Sequence, residues 1–227
     1  DGYKYIAMLD GDDYWIDENK LQKQYEYLEK NEDYGLIHTN CELRYGDRLE
    51  RNAQLNPLQG DVFYRIEDFH VANCTVMFKT SLLEYIDFDE FESQGFFSCD
   101  YAMYAVFSKY TKYAFLDEFT AVWRRGHISI SNTNSMGKDI AFIENDLRMW
   151  NYLGIKFPER FGHSQQEAEA WWNFRVFNIA FRYEDFSLAN SILRLKNMQD
   201  RKTIMFRLKK IMATNKIFFF FWNKFKN

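Results

Sequence analysis

Three carboxylates stand within four positions near the start of this 227-residue chain, at Asp10, Asp12 and Asp13. Ionised carboxylates this close repel one another, so a fold that keeps them together must supply a cation. Oxygen ligands without His or Cys favour Mg²⁺ or Mn²⁺ over Zn²⁺, and Mg²⁺ is commonly held by one or two carboxylates together with substrate phosphates. The cluster therefore predicts a divalent metal beside a bound diphosphate.

The same cluster has three other interpretations. An EF-hand is excluded because Trp15 stands where the calcium loop needs Gly and Leu21 stands where it needs the bidentate Glu. The spacing of Asp10 and Asp12 suits the nucleophile loop of a phosphatase that forms an aspartyl-phosphate, although Tyr14 occupies a position where a Thr is expected. A plain acidic turn, stabilised by the dipole of a following helix, is the third alternative.

The elements around the cluster must place it at the edge of a sheet. The apolar run from Ile6 to Leu9 predicts a buried strand of a parallel sheet, whose carboxyl end is where open α/β sheets bind ligands. Gly11 would let the backbone turn tightly there and approach a ligand. Asp17 then predicts the start of a helix that ends near Lys30, with Asn31 as its C-cap. Its predicted apolar face consists of Leu21, Tyr25 and Leu28.

The segment Leu9 to Trp15, followed by Lys20-Leu21-Gln22-Lys23-Gln24, resembles the metal-binding segment and following helix of family 2 glycosyltransferases, whose fold is called GT-A. The resemblance runs from the first residue to about Asn132. It implies that Asp10 and Asp12 hold Mn²⁺ or Mg²⁺ on the diphosphate of a nucleotide-sugar donor, expected to be a UDP-sugar.

Within that resemblance, Asp12 is the expected direct metal ligand and Asp13 a helper. Trp15 is expected to contact the substrate. The β-like run from Asn73 to Phe78 corresponds to a strand near the acceptor in the resembled family, which makes Asn73 and Thr75 candidate substrate contacts.

A second informative stretch begins at Ser98, which predicts the N-cap of a helix with Asp100 in its first turn. The helix dipole favours the ionised carboxylate, which can accept a proton from a sugar hydroxyl. The alternative is that Asp100 only stabilises the helix by complementing the dipole at its N-terminus. The resemblance implies the base role, because family 2 enzymes place their general base in an acidic pair that opens such a helix. Here Cys99 replaces the frequent first Glu, and Asp100 keeps the second position.

A polar loop follows the predicted strand Thr120 to Arg124. Many family members end this strand with aromatic-Arg-x-His, whose His contacts the metal or the diphosphate. In this chain His127 lies one residue later, so it is a displaced match. Arg124 or Arg125 would offset the charge of the diphosphate.

Composition and charge restrict the class of protein. The chain carries 47% hydrophobic residues, 19% aromatic residues and a net charge of −4, so it is globular and no nucleic-acid partner is expected. Its three Cys residues show no paired or metal-type spacing, which predicts the reducing cytoplasm. Residues 201–227 hold eight Lys and Arg, no acidic residue and a cluster of Phe. This tail predicts peripheral contact with the inner face of the cell membrane, with packing onto the preceding helices as the alternative.

These observations predict an α/β protein: the C-terminal part of a GT-A, Rossmann-like mixed sheet flanked by helices, followed by an α-helical C-terminal region. Residues 1–135 would form the metal- and acceptor-binding part and 136–227 the helical region. A nucleotide-binding part of about 80 to 100 residues is expected upstream, without which the chain is expected to be inactive. The Gln-x-x-Arg-Trp motif of processive members is absent. We therefore expect single transfers to a glycan or lipid-linked hydroxyl, with a phosphatase or a non-catalytic membrane or scaffold module as alternatives.

Overall fold

The computed structural model describes residues 2–54, 56–63, 71–97, 99–125, 133–195, 204–216 and 218–220. The chain divides into two compact units, Asp1–His127 and Ile128–Asn227. The first unit is a mixed α/β sheet with flanking helices, and the described elements of the second unit are helices. This confirms the predicted class of a mixed α/β sheet followed by a helical region.

The first unit is built on a six-stranded mixed sheet. Its strands are β1 (Tyr5–Ala7), β2 (Tyr14–Trp15), β3 (Tyr34–Tyr45), β4 (Arg48–Asn52), β5 (Met77–Lys79) and β6 (Lys112–Arg125). They lie in the order β1-β5-β3-β6-β2, and β4 pairs with β3 outside this path. β3 and β6 run parallel, whereas β1·β5, β2·β6, β3·β4 and β3·β5 are antiparallel.

Strand β1 differs from the sequence-based prediction. It pairs antiparallel with β5, and its side chains are half-buried at the edge of the described sheet. The backbone pairing continues beyond the strand, because the Met8 N–H donates to the Val76 carbonyl at 3.0 Å. The apolar run therefore marks a short strand that precedes the acidic cluster, but it does not mark a fully buried parallel strand.

The parallel pair β3 and β6 forms the centre of the sheet and buries four polar side chains, those of His38, Thr39, Asn40 and Thr120. Thr39 Oγ1 lies 2.7 Å from Thr120 Oγ1, and Asn40 Nδ2 donates to Asp117 Oδ1 at 2.6 Å. His38 is fully buried, its Nε2 lies 2.8 Å from the Leu58 carbonyl, and burial lowers its pKa to about 4. Each polar group has a partner, as burial requires, so His38 is a structural residue.

Two other β segments have signals in the sequence. Gly46-Asp47 predicts a hairpin turn, and the hairpin is present, with Gly46 at a φ of 60° in the turn between β3 and β4. The predicted β run that starts at Asn73 is a strand only over its end. Residues Asn73–Thr75 form a 3₁₀ turn instead, which puts the Asn73 side chain next to the acidic cluster.

The helices of the first unit are α1 (Lys20–Lys30), α2 (Phe88–Ser93) and α3 (Asp100–Phe107), with a second 3₁₀ segment at Thr80–Tyr85. Helix α1 begins three residues after Asp17, whose carboxylate accepts from the Asn19 N–H at 2.9 Å. The helix ends as predicted, because the Asn31 N–H donates to the Tyr27 carbonyl at 3.1 Å.

Of the expected apolar face of α1 only Leu28 is buried, and the other buried residues of the helix are polar. Leu21 and Tyr25 are 42% and 44% exposed, and the buried residues are Lys20, Gln24 and Leu28. Gln24 Nε2 donates to the Thr75 carbonyl at 2.8 Å, which ties the helix to the segment before β5. Lys20 Nζ in turn donates to Gln24 Oε1 at 2.7 Å. A hydrogen-bond chain therefore takes the place of apolar packing.

Lys20 yields a prediction about stability and pH. It is 1% exposed, its Nζ lies 4.7 Å from the centroid of the Trp15 ring, and burial lowers its pKa to about 8 from 10.5. Between these two values the unfolded chain binds more protons, so the free energy of unfolding should rise with pH from about 8 to about 10. The shift corresponds to about 3 kcal/mol. Lys20→Met should remove this rise, as measured by urea unfolding at each pH.

Lys30→Met is the matched control, since Lys30 is an exposed residue at the end of the same helix. It should keep the wild-type dependence on pH. If the free energy of unfolding rises equally with pH in Lys20→Met and in the wild type, then burial does not lower the pKa of Lys20.

The second unit contains α4 (Met136–Lys156), α5 (Pro158–Phe161), α6 (Gln165–Arg182), α7 (Phe186–Leu193) and α8 (Ile204–Met212). Ser164 and Glu167 form a reciprocal capping box at the start of α6. Apolar side chains between Trp171 and Phe181 lie on nearly all faces of α6, which predicts a central position in the unit. This is confirmed, because Phe177 and Phe181 belong to the buried core of the unit. None of the helices in the described ranges is long and apolar enough to cross a bilayer.

Part of the aromatic tail packs into this core. Phe219 is fully buried, and its ring centroid lies 4.5 Å from that of Phe181 and 5.5 Å from that of Phe186. Its neighbours Phe218 and Phe220 are 59% and 41% exposed. Phe206, earlier in the tail, is buried in the same core. Packing therefore accounts for these two aromatics of the tail, and contact of the exposed Phe218 and Phe220 with a membrane stays a prediction.

Candidate active site

The acidic cluster lies in a tight turn between β1 and β2. The Asp13 N–H donates to the Asp10 carbonyl at 3.0 Å, and Tyr14 then pairs with Val122 of β6. Gly11 has no positive φ, and a Cβ added to it would meet no atom within 4 Å. The turn therefore does not require a Gly at this position, in contrast to the expectation from the sequence.

Asp13 secures the turn to the sheet. Its Oδ1 accepts a hydrogen bond from the Arg124 N–H of β6 at 2.9 Å. The pKa of Asp13 is raised, chiefly by burial. The hydrogen bond from the Arg124 N–H opposes this rise, and the negative charge of Asp12 adds to it. The contact gives Asp13 a structural task, which leaves Asp10 and Asp12 as the two carboxylates at the exposed surface of the turn.

A hydrogen-bond chain links the turn to α3. Asn73 Nδ2 donates to Asp10 Oδ1 at 2.9 Å, and the Tyr104 hydroxyl donates to Asn73 Oδ1 at 2.5 Å. Tyr104 is 1% exposed and lies one helical turn after Asp100, which fixes the start of α3 relative to the acidic turn. Asn73 thus joins two segments that are far apart in sequence.

Asp100 lies close enough to the turn for its charge to act there. The pKa of Asp10 is raised, chiefly by partial burial. The hydrogen bond from the Asn73 amide opposes this rise, and the negative charges of Asp100 and Asp12 add to it. Burial also raises the pKa of the Tyr104 hydroxyl, and the charges of Asp100 and Asp10 add to this effect. The structure therefore brings Asp10, Asp12 and Asp100 into one electrostatic cluster.

The start of α3 agrees with the sequence in its first turn. Asp100 is the first helical residue, and Cys99 stands at the N-cap position without a side-chain capping bond. Ser98, the predicted cap, lies outside the described residues. The sequence predicts an apolar stripe of Met103, Val106, Phe107 and Tyr110 on this helix. The first three are buried and anchor the helix by packing, whereas Tyr110 lies beyond its end and is 47% exposed. Asp100 itself is half-buried.

The other candidate substrate contacts fall into two groups. Thr75 is fully buried and its hydroxyl donates to the Ala72 carbonyl at 2.7 Å. The half-buried Trp15 donates its indole N–H to the Cys74 carbonyl at 3.0 Å. Both side chains hold the segment that carries Asn73, whereas Asn73 itself reaches Asp10.

Two arginine side chains contact Tyr14, the residue that follows the acidic cluster. The Arg124 guanidinium lies 5.2 Å from the centroid of the Tyr14 ring, and Arg44 Nη1 donates to the Tyr14 hydroxyl at 3.2 Å. Arg125 stacks on Trp123, with 4.2 Å between its guanidinium carbon and the ring centroid. Arg124 therefore lies next to the acidic turn. His127 lies outside the described residues.

The donor set fits a metal that is completed by a ligand. Within the described ranges, no three His, Cys, Asp or Glu side chains form a group that could hold a metal ion. Mg²⁺ is commonly bound by one or two carboxylates together with substrate phosphates. Asp10 and Asp12 supply such a pair, so these residues suit an ion that arrives with a diphosphate.

Three residues of this site were not predicted. Tyr104 follows Asp100 by four positions, a spacing that places both on one helix face and would have indicated it. Arg44 lies on β3, and its proximity to Tyr14 has no local signal. Lys20 begins a helix as a long basic side chain, and no pattern in the sequence shows that it is buried.

Comparisons with known proteins add little to this geometry. No family model matches the chain, and no curated protein matches it. Among solved structures, it is similar to S. aureus TarS 1–349 in complex with UDP-GlcNAc, with 11% identity and a TM-score of 0.37. The match covers 96% of this chain and 65% of that chain, so the chain spans less than two thirds of its length. A TM-score of this size does not establish a common fold.

Proposed function

We propose that this chain carries the acidic site of a GT-A glycosyltransferase that resembles family 2. The enzyme would move a sugar from a nucleotide-sugar, expected to be a UDP-sugar, to a hydroxyl of a glycan or lipid-linked acceptor. The observation that supports this most is the link between Asp10 and α3 through Asn73 and Tyr104, with the charge of Asp100 acting on Asp10. Glycosyl transfer needs a diphosphate site and a base side by side, and in this proposal these residues would supply both.

The chemistry divides between the turn and the helix. Asp10 and Asp12 would hold the divalent ion, which when bound supplies Lewis-acid stabilisation of the departing diphosphate. Asp100 would accept the proton of the acceptor hydroxyl as its oxygen bonds to the anomeric carbon. The bond from that carbon to the diphosphate oxygen breaks, and its electrons leave with the nucleoside diphosphate.

The remaining residues would position these groups. Asn73 and Tyr104 hold Asp10 relative to Asp100. Arg124 lies beside the turn, where its charge would offset that of the diphosphate. His127 remains a predicted ligand of the metal or the diphosphate. We place the protein in the cytoplasm, with residues 201–227 in peripheral contact with the membrane, and we propose single transfers.

A thermal-shift screen of the full-length protein tests this function. UDP-glucose, UDP-galactose, UDP-N-acetylglucosamine and GDP-mannose are added with Mn²⁺, and each is repeated with a metal chelator. A donor at a hundred times its Kd stabilises the folded state by about 2.7 kcal/mol, which raises Tm by several degrees. We expect such a shift for one donor, and only with the metal.

The same screen separates the alternatives. Hydrolysis of p-nitrophenyl phosphate, with no protection by any nucleotide-sugar, would favour the phosphatase. Absence of both hydrolysis and metal-dependent protection would favour the non-catalytic module. Either result would contradict the proposal.

A further inference from the structure

The second unit contains a cavity between one face of α4 and one face of α6. Its volume is about 870 Å³, and among its lining residues are Glu144, Leu147, Asn151, Gln165, Glu169 and Trp172. Within each helix these residues recur at intervals of three or four positions, so each set shares one helical face. The volume lies within the range of pockets that bind small molecules.

Charge restricts what the cavity can hold. Its lining includes the carboxylates of Glu144 and Glu169, and none of the described residues that line it is a Lys or Arg. An anionic ligand such as a nucleotide or an acidic sugar would be repelled by these carboxylates. The cavity therefore suits a neutral or cationic ligand that offers hydrogen-bond donors to carboxylate oxygens.

Aromatic, amide and aliphatic groups form the rest of the lining, the last from Leu147, Ala168 and Leu195. Trp172 is half-buried and offers an apolar surface. His163 also lines the cavity, stacked on Trp150 with 4.0 Å between ring centroids, and its Nε2 lies 2.7 Å from Asn151 Oδ1. Gln165 Nε2 donates to Glu169 Oε1 at 3.1 Å. Part of the polar lining is thus held in place by contacts within the unit, which favours a preformed binding site.

We infer that this cavity binds a neutral oligosaccharide. A sugar ring presents an apolar face that can stack on Trp172 and hydroxyl groups that can donate to Glu144 and Glu169. The choice of a neutral saccharide over a cation or another neutral ligand rests on the proposed function, since a glycosyltransferase handles glycan acceptors. The cavity itself lies wholly in the second unit and includes none of the residues of the acidic turn.

Binding is tested without donor or metal, so that the result does not depend on transfer. Cellotetraose, maltotetraose and tetra-N-acetylchitotetraose are titrated into the full-length protein and followed by tryptophan fluorescence and saturation-transfer NMR. Tetragalacturonate serves as the anionic counterpart, and choline as the cationic one. We expect at least one neutral tetrasaccharide to bind and the two charged probes not to bind.

Variants locate the binding. Trp172→Ala should weaken the affinity about tenfold or more, because one stacking surface is lost. Trp171→Ala is the matched control, since Trp171 is the adjacent Trp and does not line the cavity. Glu144→Gln, at an exposed position, should weaken binding without affecting folding.

The outcomes are distinct. Binding that is lost in Trp172→Ala and Glu144→Gln but kept in Trp171→Ala supports the inference. Failure of all three neutral probes, binding of choline or tetragalacturonate in their place, or equal affinity in Glu144→Gln and the wild type would overturn it. None of these results bears on metal-dependent donor binding, so the proposed function stands or fails separately.

Discussion

Replacing Asp100 with Asn should reduce sugar transfer by about a hundredfold or more, a typical contribution of a general base. The amide keeps the shape of the side chain and removes its ability to accept the proton. Because Asp10 and Asp12 are unchanged, donor affinity should stay near that of the wild type. Initial transfer rates and calorimetric titration of the donor, on the same protein preparation, measure the two quantities separately.

The control for this variant is Asp89→Asn. Asp89 is an exposed carboxylate in the first turn of α2, so its replacement removes the same interaction with a helix dipole. It should leave transfer unchanged. If Asp100→Asn lowers Tm and activity in parallel, with weaker donor binding, then Asp100 stabilises the helix start and is not the base.

Asp12→Asn should abolish the coupling between metal and nucleotide. Two carboxylates fill too few coordination positions to hold Mg²⁺ or Mn²⁺ tightly, so the ion and the diphosphate should bind together. In the wild type, Mn²⁺ should raise the affinity for the nucleoside diphosphate about tenfold or more. In the variant, calorimetry should give the same affinity with and without Mn²⁺.

Two structural facts make Asp12 the informative position. It is exposed, and its replacement leaves in place the contacts of Asp13 with the Arg124 N–H and of Asp10 with Asn73. Asp47→Asn, at an exposed turn between β3 and β4, is the matched control and should retain the coupling. A wild-type dependence on Mn²⁺ in Asp12→Asn would remove the metal assignment.

The sequence predicted elements best where the signal is local. The turn at Gly46, the cap at Asn31 and the place of Asp100 in the first turn of α3 each follow from one or two residues, and the structure agrees. The division into a mixed sheet and a helical region follows from a change in periodicity along the chain. These features depend little on distant parts of the chain.

Features that depend on distant partners were predicted poorly. Lys20 and Gln24 face the core because the Thr75 carbonyl lies beside α1, and helical periodicity favoured the exposed Leu21 and Tyr25 instead. The pairing of β1 with β5 likewise depends on a segment about 70 residues away.

The candidate site shows the same division. Asp10, Asp12 and Asp100 were indicated by their local motifs, and the structure brings them into one cluster. The means by which they are held together was not predicted, because the 3₁₀ turn that presents Asn73 replaces an expected strand. Tyr104 reaches Asn73 only because α3 packs beside that turn.

The most direct measurement is anomalous diffraction at the manganese edge from crystals of the full-length protein with Mn²⁺ and UDP. We predict one strong peak about 2.1 Å from carboxylate oxygens of Asp10 or Asp12 and in contact with the diphosphate of UDP. Bound UDP with no manganese at this turn, or manganese bound elsewhere, would contradict it.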